Sequence, residues 1–467
     1  MMNRPKRLVA AMSLLMAGAV QGQDLLEVYD LALQNDAIIR EAQQQLAAVL
    51  ETKPQAKALL LPNIEFAADA DRVRTDVRST KGTAPTGDDT YTDTGLSISL
   101  VQPVYNREYW VQLQQADDVI AAAEAQYADA RLDLMARVIQ AYFSVLASQD
   151  NLTVSKGQSE ANLRQLDQAK QRFEVGLIAI TDVHEAQAAY DGSRADQIAA
   201  ANEVENAWEA LLTIIGYHRD PLSILGAKLP LNPPVPADIE EWASTAVQQN
   251  YNVVAAESQT EALKKGIEIQ RSGHYPELNL LASYGNDNNR LNPGGRNVDT
   301  GLIGLQFNLP IYQGGAVNSR TREAQADYQG SMEILDQTRR EVNQQTRNAY
   351  RGVLTSIEEV GARKATVVSS QSALESTQAG YDVGTRTLVD VLTVQTNLFD
   401  ATRNYLQSRY EYIINGLLLK RTASTLSRQD LEAVNALLEE LQPGGEAGDE
   451  VKKNLDALKA GQGQRKP

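Results

Sequence analysis

The 467-residue chain contains no cysteine, three histidines and few aromatic residues, which make up 6% of it. Without cysteine it can form no disulfide framework, no thiolate metal site and no lipidated cysteine behind a leader. The histidines, His184, His218 and His274, stand far apart in the sequence, so no histidine-based metal site is expected. The scarcity of aromatic side chains disfavours a thick globular core and favours thin walls of paired helices.

Motifs of catalysis are missing as well. The sequence has no glycine-rich phosphate loop, no nucleophile motif and no cluster of histidines with carboxylates. We therefore expect no enzymatic activity, no cofactor and no bound metal. The formal net charge of −16 disfavours nucleic acid as a partner and favours the exclusion of anions or the attraction of cations.

Hydrophobic runs are short. The longest run at the beginning of the chain, Leu8–Val20, has 13 residues, which is too few to span ~30 Å of hydrocarbon as a helix. It follows three basic residues, Arg4, Lys6 and Arg7, and precedes a polar segment. This order predicts a Sec-type signal peptide over residues 1–22, cleaved after Ala19 or Gly22. Its removal would leave a chain with a net charge of −19.

An internal repeat is the most informative feature that the sequence does contain. Phe173–Val183 matches Tyr381–Val391 without a gap, at an offset of 208 residues. Other segments match in the same order at offsets close to this one. The chain is therefore predicted to consist of two tandem structural repeats, residues 23–216 and 241–441.

Two further segments differ in composition from the repeats. Residues 217–240 hold five of the fifteen prolines and are predicted to form an irregular linker, because proline interrupts helices. Residues 442–467 are rich in glycine and charge, which predicts a disordered C-terminal tail.

Each repeat contains two segments in which apolar and polar residues alternate. They are residues 63–75 and 94–102 in the first repeat, and residues 277–285 and 301–309 in the second. Alternating runs of about ten residues are typical of strands in outer-membrane proteins, although a soluble antiparallel sheet with one wet face has the same pattern. The leader and the polar, glycine-rich connection within each pair favour the membrane.

Four strands are too few to close a barrel, and open sheet edges are not viable in lipid. A membrane location therefore requires that several chains share one barrel, with eight strands from two chains or twelve from three.

The remaining sequence has helical periodicity and little proline. Residues 106–171 and 315–378 are the longest such segments, and 66 helical residues would span ~100 Å. Apolar residues follow the alternating three- and four-residue spacing of coiled coils, for example at Val391, Val394, Leu398, Ala401 and Tyr405. A solvated, rod-like coiled coil would explain this spacing equally well, but not the strands or the leader.

A glycine interrupts the helical pattern once in each repeat, at Gly176 and Gly384. Each glycine is predicted to end one long helix at a turn, after which Thr181–Asp182 or Thr387 begins the next. The helices thus form two hairpins, with tips near residues 176–182 and 384–390.

Several of these segments closely resemble the TolC-type channel-tunnels, the outer membrane factor family. The segments are Asp24–Ala32, Phe173–Val183, Asn308–Gly315 and Gly380–Leu392, and the resemblance extends over roughly residues 24–435. It implies an α+β membrane protein in which three chains form a 12-stranded transmembrane β-barrel, four strands per chain, continuous with a 12-helix periplasmic α-barrel.

The family's function is the second implication. The resemblance implies a passive exit duct in the outer membrane of a Gram-negative bacterium, serving efflux and type I protein secretion. The implied partners are two further copies of the chain, a periplasmic adaptor of the membrane fusion type, an inner-membrane pump of the ABC, RND or MFS type, and outer-membrane lipid. A periplasmic coiled-coil adaptor or scaffold is the alternative that the helical pattern leaves open.

Site residues follow by resemblance, position by position. A closed periplasmic gate would involve Gln165, Thr181, Asp182, Gln378, Tyr381 and Arg386; an acidic ring at the pore entrance would involve Asp390; and the adaptor would dock at Gly176, Leu177, Gly384 and Thr385. The side chains are chemically suited to such a gate, because Arg386 and Asp182 could form a charge-assisted pair and the Tyr381 hydroxyl could donate to a carboxylate. An ordinary surface pair at two helix ends would explain the same charges.

The chain departs from the family pattern at two positions. Thr393 and Gln378 stand where the family carries acidic residues. Both differences remove negative charge near the pore entrance, so we expect weaker cation binding there and a neutral contact between Gln165 and Gln378.

Overall fold

The computed structural model describes residues 23–77, 87–216, 219–289 and 296–439. The predicted signal peptide and the predicted disordered tail lie outside these residues. The chain divides into two compact units. One unit comprises residues 1–39, 131–243 and 345–467, and the other comprises residues 40–130 and 244–344. Each unit thus draws on both halves of the sequence.

The described elements follow one another in two similar series. The first series contains α1 (Leu25–Asn35), α2 (Ala37–Leu50), α3 (Thr52–Ala58), β1 (Asn63–Val77), β2 (Gly87–Tyr105), α4 (Arg107–Glu174) and α5 (Ile180–Ile215). The second contains β3 (Ile224–Leu225), α6 (Ile239–Gln249), α7 (Tyr251–Arg271), β4 (Glu277–Asn289), β5 (Arg296–Asn308), α8 (Ala316–Asp382), α9 (Leu388–Thr422), α10 (Arg428–Asn435) and β6 (Leu438–Glu439). The long helices correspond closely, since α4 and α8 have 68 and 67 residues and α5 and α9 have 36 and 35.

The second unit is built around one four-stranded antiparallel sheet with the order β1-β2-β4-β5. Each predicted strand pair forms a hairpin, and β2 pairs with β4 to join them. The predicted boundaries need small corrections. β1 ends at Val77 rather than at residue 75, and β2 extends from Gly87 to Tyr105 rather than from residue 94 to 102, because the ladder between them continues into the polar segment. Likewise β4 ends at Asn289 rather than at residue 285, and β5 extends from Arg296 to Asn308 rather than from residue 301 to 309.

The register of this sheet collects the apolar residues on one face. Phe66 lies opposite Ile98, which lies opposite Tyr284 on the next strand. Leu100 is likewise opposite Ala282, which is opposite Ile303. No described residue covers this face, since Phe66 is 69% exposed and Ile303 is 79% exposed.

The other face of the sheet carries mainly polar and small residues, with Val101, Leu281 and Leu302 as exceptions. Glu65 lies opposite Ser99, and Ser99 lies opposite Ser283. Because side chains alternate between faces along each strand, a one-residue slip would exchange the two sets. The alternation read from the sequence therefore predicts the faces of this sheet correctly.

The first unit consists mainly of the long helices from residue 131 onward. Its coiled-coil positions behave as the spacing predicts: Val391, Leu398 and Ala401 on α9 are buried, as are Leu134 and Val138 on α4. No helix in the described ranges combines the length and the apolar character that crossing a bilayer requires.

The short elements at the start of the first unit are fixed by polar contacts. Asp36, between α1 and α2, accepts a hydrogen bond from the Ile39 amide at 2.8 Å and two from the guanidinium of Arg137 at 2.8 and 3.1 Å. These bonds hold the pKa of Asp36 below its ordinary value against the effect of burial. In the described part of the predicted linker, residues 219–238 are irregular apart from β3, which pairs with β6, and α6 begins at Ile239, so that the last two residues of the predicted linker are helical.

A buried acid lies where α4 packs against α9. The Tyr410 hydroxyl donates to Oδ2 of Asp150 at 2.7 Å, and the Tyr410 ring lies 5.7 Å from that of Phe143. Burial raises the pKa of Asp150 from 3.8 to about 6, although the hydrogen bond from Tyr410 and the charge of Arg409 oppose the increase. Burial also raises the pKa of Tyr410.

This raised pKa predicts a pH dependence of stability. Between about pH 4 and pH 6 the folded chain retains the proton of Asp150 more strongly than the unfolded chain does, so the free energy of unfolding falls as the pH rises through this range. The titration of Asp150 lowers the free energy of unfolding by up to about 3 kcal/mol over this range. Asp150→Asn removes this titrating group. The Tm of the variant minus the Tm of the parent should therefore be more positive at about pH 7.5 than at about pH 4.5.

Thermal unfolding followed by circular dichroism in detergent measures this difference. Asp167→Asn, at an exposed position on the same helix, serves as the control and should give the same difference at both pH values. Equal behaviour of the two variants would show that Asp150 titrates as an ordinary surface acid.

Candidate gate at the helical tips

The first tip is a glycine-dependent turn at the end of α4. The Gly176 amide donates to the carbonyl of Phe173 at 2.9 Å, and the Leu177 amide donates to that of Arg172 at 2.9 Å. This pair of bonds defines a Schellman cap, in which the residue after the helix adopts a positive φ. Gly176 has φ +75°, a conformation that strains any residue with a Cβ.

The second tip repeats this cap at the end of α8. The Gly384 amide donates to the carbonyl of Tyr381 at 3.0 Å, and the Thr385 amide donates to the carbonyl of Gly380 at 2.8 Å. Gly384 has φ +81°. Apolar side chains project beside both glycines, since Leu177 is 74% and Val383 is 75% exposed.

The helices that follow the two turns begin differently. At α9, Thr387 is the N-cap and accepts a hydrogen bond from the Asp390 amide, while the Asp390 carboxylate accepts one from the Thr387 amide at 2.9 Å, which completes a capping box. At α5 the predicted start at Thr181–Asp182 is wrong. The helix begins at Ile180, and the side chain of its N-cap residue, Ala179, has no polar atom that could accept a capping hydrogen bond.

The physical reason is one substitution between the repeats. Ala179 occupies the position that corresponds to Thr387, with nearly the same backbone angles: φ −80° and ψ 156° against φ −91° and ψ 164°. Asp182, the counterpart of Asp390, therefore has no threonine hydroxyl at the N-cap to bind, and its carboxylate stays outside a capping box.

A small apolar cluster holds the two hairpins together just below the tips. Its buried members come from α4, α5 and α9 and are Leu166, Ala169, Ala186, Leu388 and Leu392. Tyr381 of α8 packs against this cluster and is half-buried. All four long helices thus meet here within one protomer.

Arg172 provides the polar contact between the tips. Its guanidinium lies 3.3 Å from a carboxylate oxygen of Asp382 and 4.8 Å from the centre of the Tyr381 ring. Arg172 therefore joins α4 to α8 by an ion pair and a cation–π contact at once. Sequence reasoning missed this residue, although a cation in the last turn of a helix opposite an acid was a usable signal.

The predicted charge pair does not form within the protomer. The Thr181 hydroxyl lies 3.4 Å from Oδ1 of Asp182, whereas Arg386 has no ion-pair or hydrogen-bond partner for its side chain among the described residues. Arg386 is instead placed by packing, since a Cβ at position 380 would lie 2.8 Å from its Cγ. Gly380 thus leaves room for the stem of Arg386.

The other predicted gate residues are distributed as follows. Gln165 is buried and its Oε1 has no hydrogen-bond partner in the described part of the chain. Gln378 lies within 3.4 Å of Asp382 rather than against Gln165. Asp390 is held in its capping box, and the hydrogen bonds from the Thr387 amide and hydroxyl keep the pKa of Asp390 below its ordinary value.

A buried polar contact lies further along the hairpins and was not predicted. Gln395 on α9 donates to Oδ1 of Asn162 on α4 at 2.8 Å, and Asn162 donates to the carbonyl of Ala189 on α5 at 3.0 Å. These hydrogen bonds fix the register of α4, α5 and α9, because a shift of one helix along another would leave buried amide groups without hydrogen-bond partners. Across the described ranges, no group of three or more histidines and acids is arranged to hold a metal ion.

Comparison with known proteins identifies the family. The profile of the family described as outer membrane efflux protein matches residues 28–217 and 242–423. The chain belongs to this family. The interruption of the match falls at the proline-rich segment between the two repeats.

Individual members of the outer membrane efflux protein family align with almost the whole chain. The outer membrane protein TolC of Vibrio cholerae is 37% identical, over 90% of this chain and 95% of that protein. The proteases secretion protein PrtF of Dickeya chrysanthemi is 27% identical, over 92% and 94%. The chain is thus an outer-membrane exit duct of the efflux and type I secretion class, in a family of channels rather than enzymes.

Solved structures give the same fold. The CmeC outer membrane channel of Campylobacter jejuni superimposes with a TM-score of 0.75, covering 94% of this chain and 98% of that one at 18% identity. The outer membrane protein VceC of Vibrio cholerae gives 0.72, covering 86% and 96% at 20% identity.

The difference between the two N-caps predicts opposite effects of two mirror-image substitutions. Ala179→Thr supplies the missing cap at a backbone conformation that already suits it, and should stabilise the start of α5 by about 1 kcal/mol. Thr387→Ala removes the existing cap and should destabilise the start of α9 by a similar amount.

Hydrogen exchange of the first-turn amides of α5 and α9 measures each effect at its own helix. In each variant the unaltered tip is the internal control. Slower exchange at α5 in Ala179→Thr and faster exchange at α9 in Thr387→Ala are expected. Faster exchange in both would mean that position 179 does not accept a cap.

Proposed function

We propose that three copies of this chain form a passive, gated exit duct of tripartite efflux and type I secretion systems. In this assembly the three sheets close into a 12-stranded transmembrane barrel, and twelve long helices form a periplasmic tunnel. The single observation that carries the proposal is the sheet β1-β2-β4-β5, whose apolar face is exposed.

The edges of this sheet support a shared barrel. β1 and β5 each pair with a single strand in the described part of the chain, so each has one side of unbonded backbone groups. In lipid such groups cost several kcal/mol each unless they are hydrogen-bonded. Pairing of β5 with β1 of the next copy satisfies both edges and, repeated three times, leaves no edge.

A gate at the tips is supported by Arg386, whose guanidinium makes no ion pair or hydrogen bond among the described residues, although its charge acts on Asp390. Its natural partner in a ring of copies is the carboxylate of Asp182, which its own helix does not use for capping. Thr181, Tyr381, Gln165 and Gln378 complete the closing contacts in this proposal. Such wet contacts are weak singly, on the order of 1 kcal/mol or less, so that a docking event can open a gate held by three sets of them.

The pore entrance is proposed to be mildly cation-attracting. Three copies of Asp390 would form an acidic ring, and the hydrogen bonds that lower the pKa of Asp390 keep this ring charged. Thr393 adds no second ring. Permeating cations are therefore expected to encounter one ring of charge.

Docking to other proteins is proposed at the apolar tips. Leu177 and Val383 project into solvent beside Gly176 and Gly384, and Thr385 follows directly. The partner would be a periplasmic adaptor that connects the duct to an inner-membrane pump. A relative named for protease secretion supports export of proteins, and family members named for efflux support export of small molecules.

The competing function, a periplasmic adaptor or scaffold, uses the helices but leaves the sheet without a role. Size-exclusion chromatography with light scattering distinguishes the two for the mature chain extracted from outer membranes. We expect a detergent-bound trimer that forms conducting pores in planar bilayers. A water-soluble monomer that needs no detergent would contradict the duct.

The gate predicts a specific change in conductance. Arg386→Ala removes the cation that closes the tip between copies, so the single-channel conductance of the purified trimer should rise severalfold. Arg194→Ala is a matched control, because Arg194 is also exposed and has no side-chain partner in the described ranges, but lies on α5 away from the turn. Equal conductance of both variants and the parent would exclude Arg386 from the gate.

A further inference from the structure

The side chain of Arg172 crosses from the end of α4 to the end of α8. Its Nη2 donates to Oδ1 of Asp382 at 3.3 Å, and its Cζ lies 4.8 Å from the centre of the Tyr381 ring. Tyr381 and Asp382 are the last two residues of α8, so one cation contacts both of them just before the turn at Gly384. A planar guanidinium suits this double contact, because it can stack on a ring while its N–H groups bind a carboxylate.

The apolar cluster below the tips determines where Arg172 lies. Leu166 and Ala169 of α4 are buried in this cluster, and Arg172 follows Ala169 by three residues. Residues at this spacing lie on the same face of a helix. The packing that buries Leu166 and Ala169 therefore also places Arg172 on the side of α4 that faces the other hairpin. Tyr381 packs against the same cluster, so the contact with Arg172 continues the packed junction towards the tip.

The glutamines that were expected to join α4 and α8 do not contact each other. Gln165 is buried, and its Oε1 has no hydrogen-bond partner in the described part of the chain. The Gln378 amide instead lies 3.4 Å from Oδ1 of Asp382, the atom that pairs with Arg172. Arg172 follows Gln165 by seven residues and Asp382 follows Gln378 by four, so each lies on the same helix face but nearer to the turn. The observed contact is thus an ion pair at the tip in place of the predicted amide pair.

We propose that Arg172 is a latch that holds the tip of α8 and α9 against the tip of α4 and α5 within each protomer, and that the duct opens when this latch is released. The proposal rests on the duct and gate proposed above. It gives Arg172 a role distinct from that of Arg386, which acts between copies in the proposed gate. The side chains of Arg172 and Asp382 are 36% and 49% exposed, so water screens their attraction and the latch can break while both helices stay folded.

The latch lies directly beside the proposed docking surface. Val383, which is 75% exposed, follows Asp382 in the chain. A partner that binds Val383 and shifts this turn also shifts the carboxylate of Asp382 away from Arg172. Docking at one hairpin thereby releases it from the other.

Single-channel recordings of the purified full-length protein in planar bilayers test the latch. Arg172→Ala removes both contacts in all three protomers, so the conductance should rise about twofold or more, while size-exclusion chromatography still shows a trimer. Arg164→Ala is the matched control, because Arg164 is exposed on the same helix and makes no ion pair or hydrogen bond among the described residues. Its conductance should equal that of the parent.

Charge reversal distinguishes pairing from a general effect of charge near the pore. Arg172→Asp places two carboxylates opposite each other, so it should raise the conductance further than Arg172→Ala does. Arg172→Asp combined with Asp382→Arg restores an ion pair of opposite polarity at the net charge of the parent. This double variant should return the conductance towards the parent value.

Two results would overturn the latch and leave the duct standing, since the trimers would still conduct. The first is equal conductance of the parent, Arg172→Ala and Arg164→Ala. The second is a double variant that conducts as much as Arg172→Asp alone, because Arg172 would then act through something other than Asp382. A parent protein that forms no conducting trimer would contradict the proposed duct, and the latch with it.

Discussion

The pairing requirement of the backbone is the constraint on which the architecture depends. A strand in a nonpolar medium has to satisfy its amides and carbonyls with another strand, and the four strands of this chain satisfy only the inner ones. The apolar face of the sheet suits hydrocarbon, and among the described residues each of its outer strands, β1 and β5, pairs along one side only. The proposed association with further copies would supply partners for their other sides in a membrane.

The helical unit is held together by few large apolar side chains. Ala, Val and Leu fill narrow contacts between long helices, and buried polar groups fix their register. Gln395 with Asn162, and Tyr410 with Asp150, are each paired by a hydrogen bond across two helices. A sliding motion of α9 along α4 has to break these bonds, so the helices are held in one alignment while the tips above them remain lightly tied through Arg172.

Much of the fold could be predicted from the sequence because its signals are local and periodic. The alternation around Phe66 and Ile98 gave the faces of the sheet, and the glycines at positions 176 and 384 gave the turns. Strand ends could not be predicted, because the ladder from β1 extends into a polar segment whose composition is typical of a loop. The contacts of Arg172 and Gln395 depend on which helices pack side by side, which no local pattern contains.

The unequal N-caps of α5 and α9 have a consequence for the proposed gate. The second helix of each hairpin has an aspartate at the same position of its first turn, Asp182 in α5 and Asp390 in α9. In α9, Thr387 binds this aspartate in a capping box. In the first copy alanine stands at the N-cap, and the carboxylate of Asp182 stays outside a capping box. A methyl group in place of a hydroxyl-bearing side chain thus leaves one aspartate available to the proposed gate, while its counterpart stabilises a helix end.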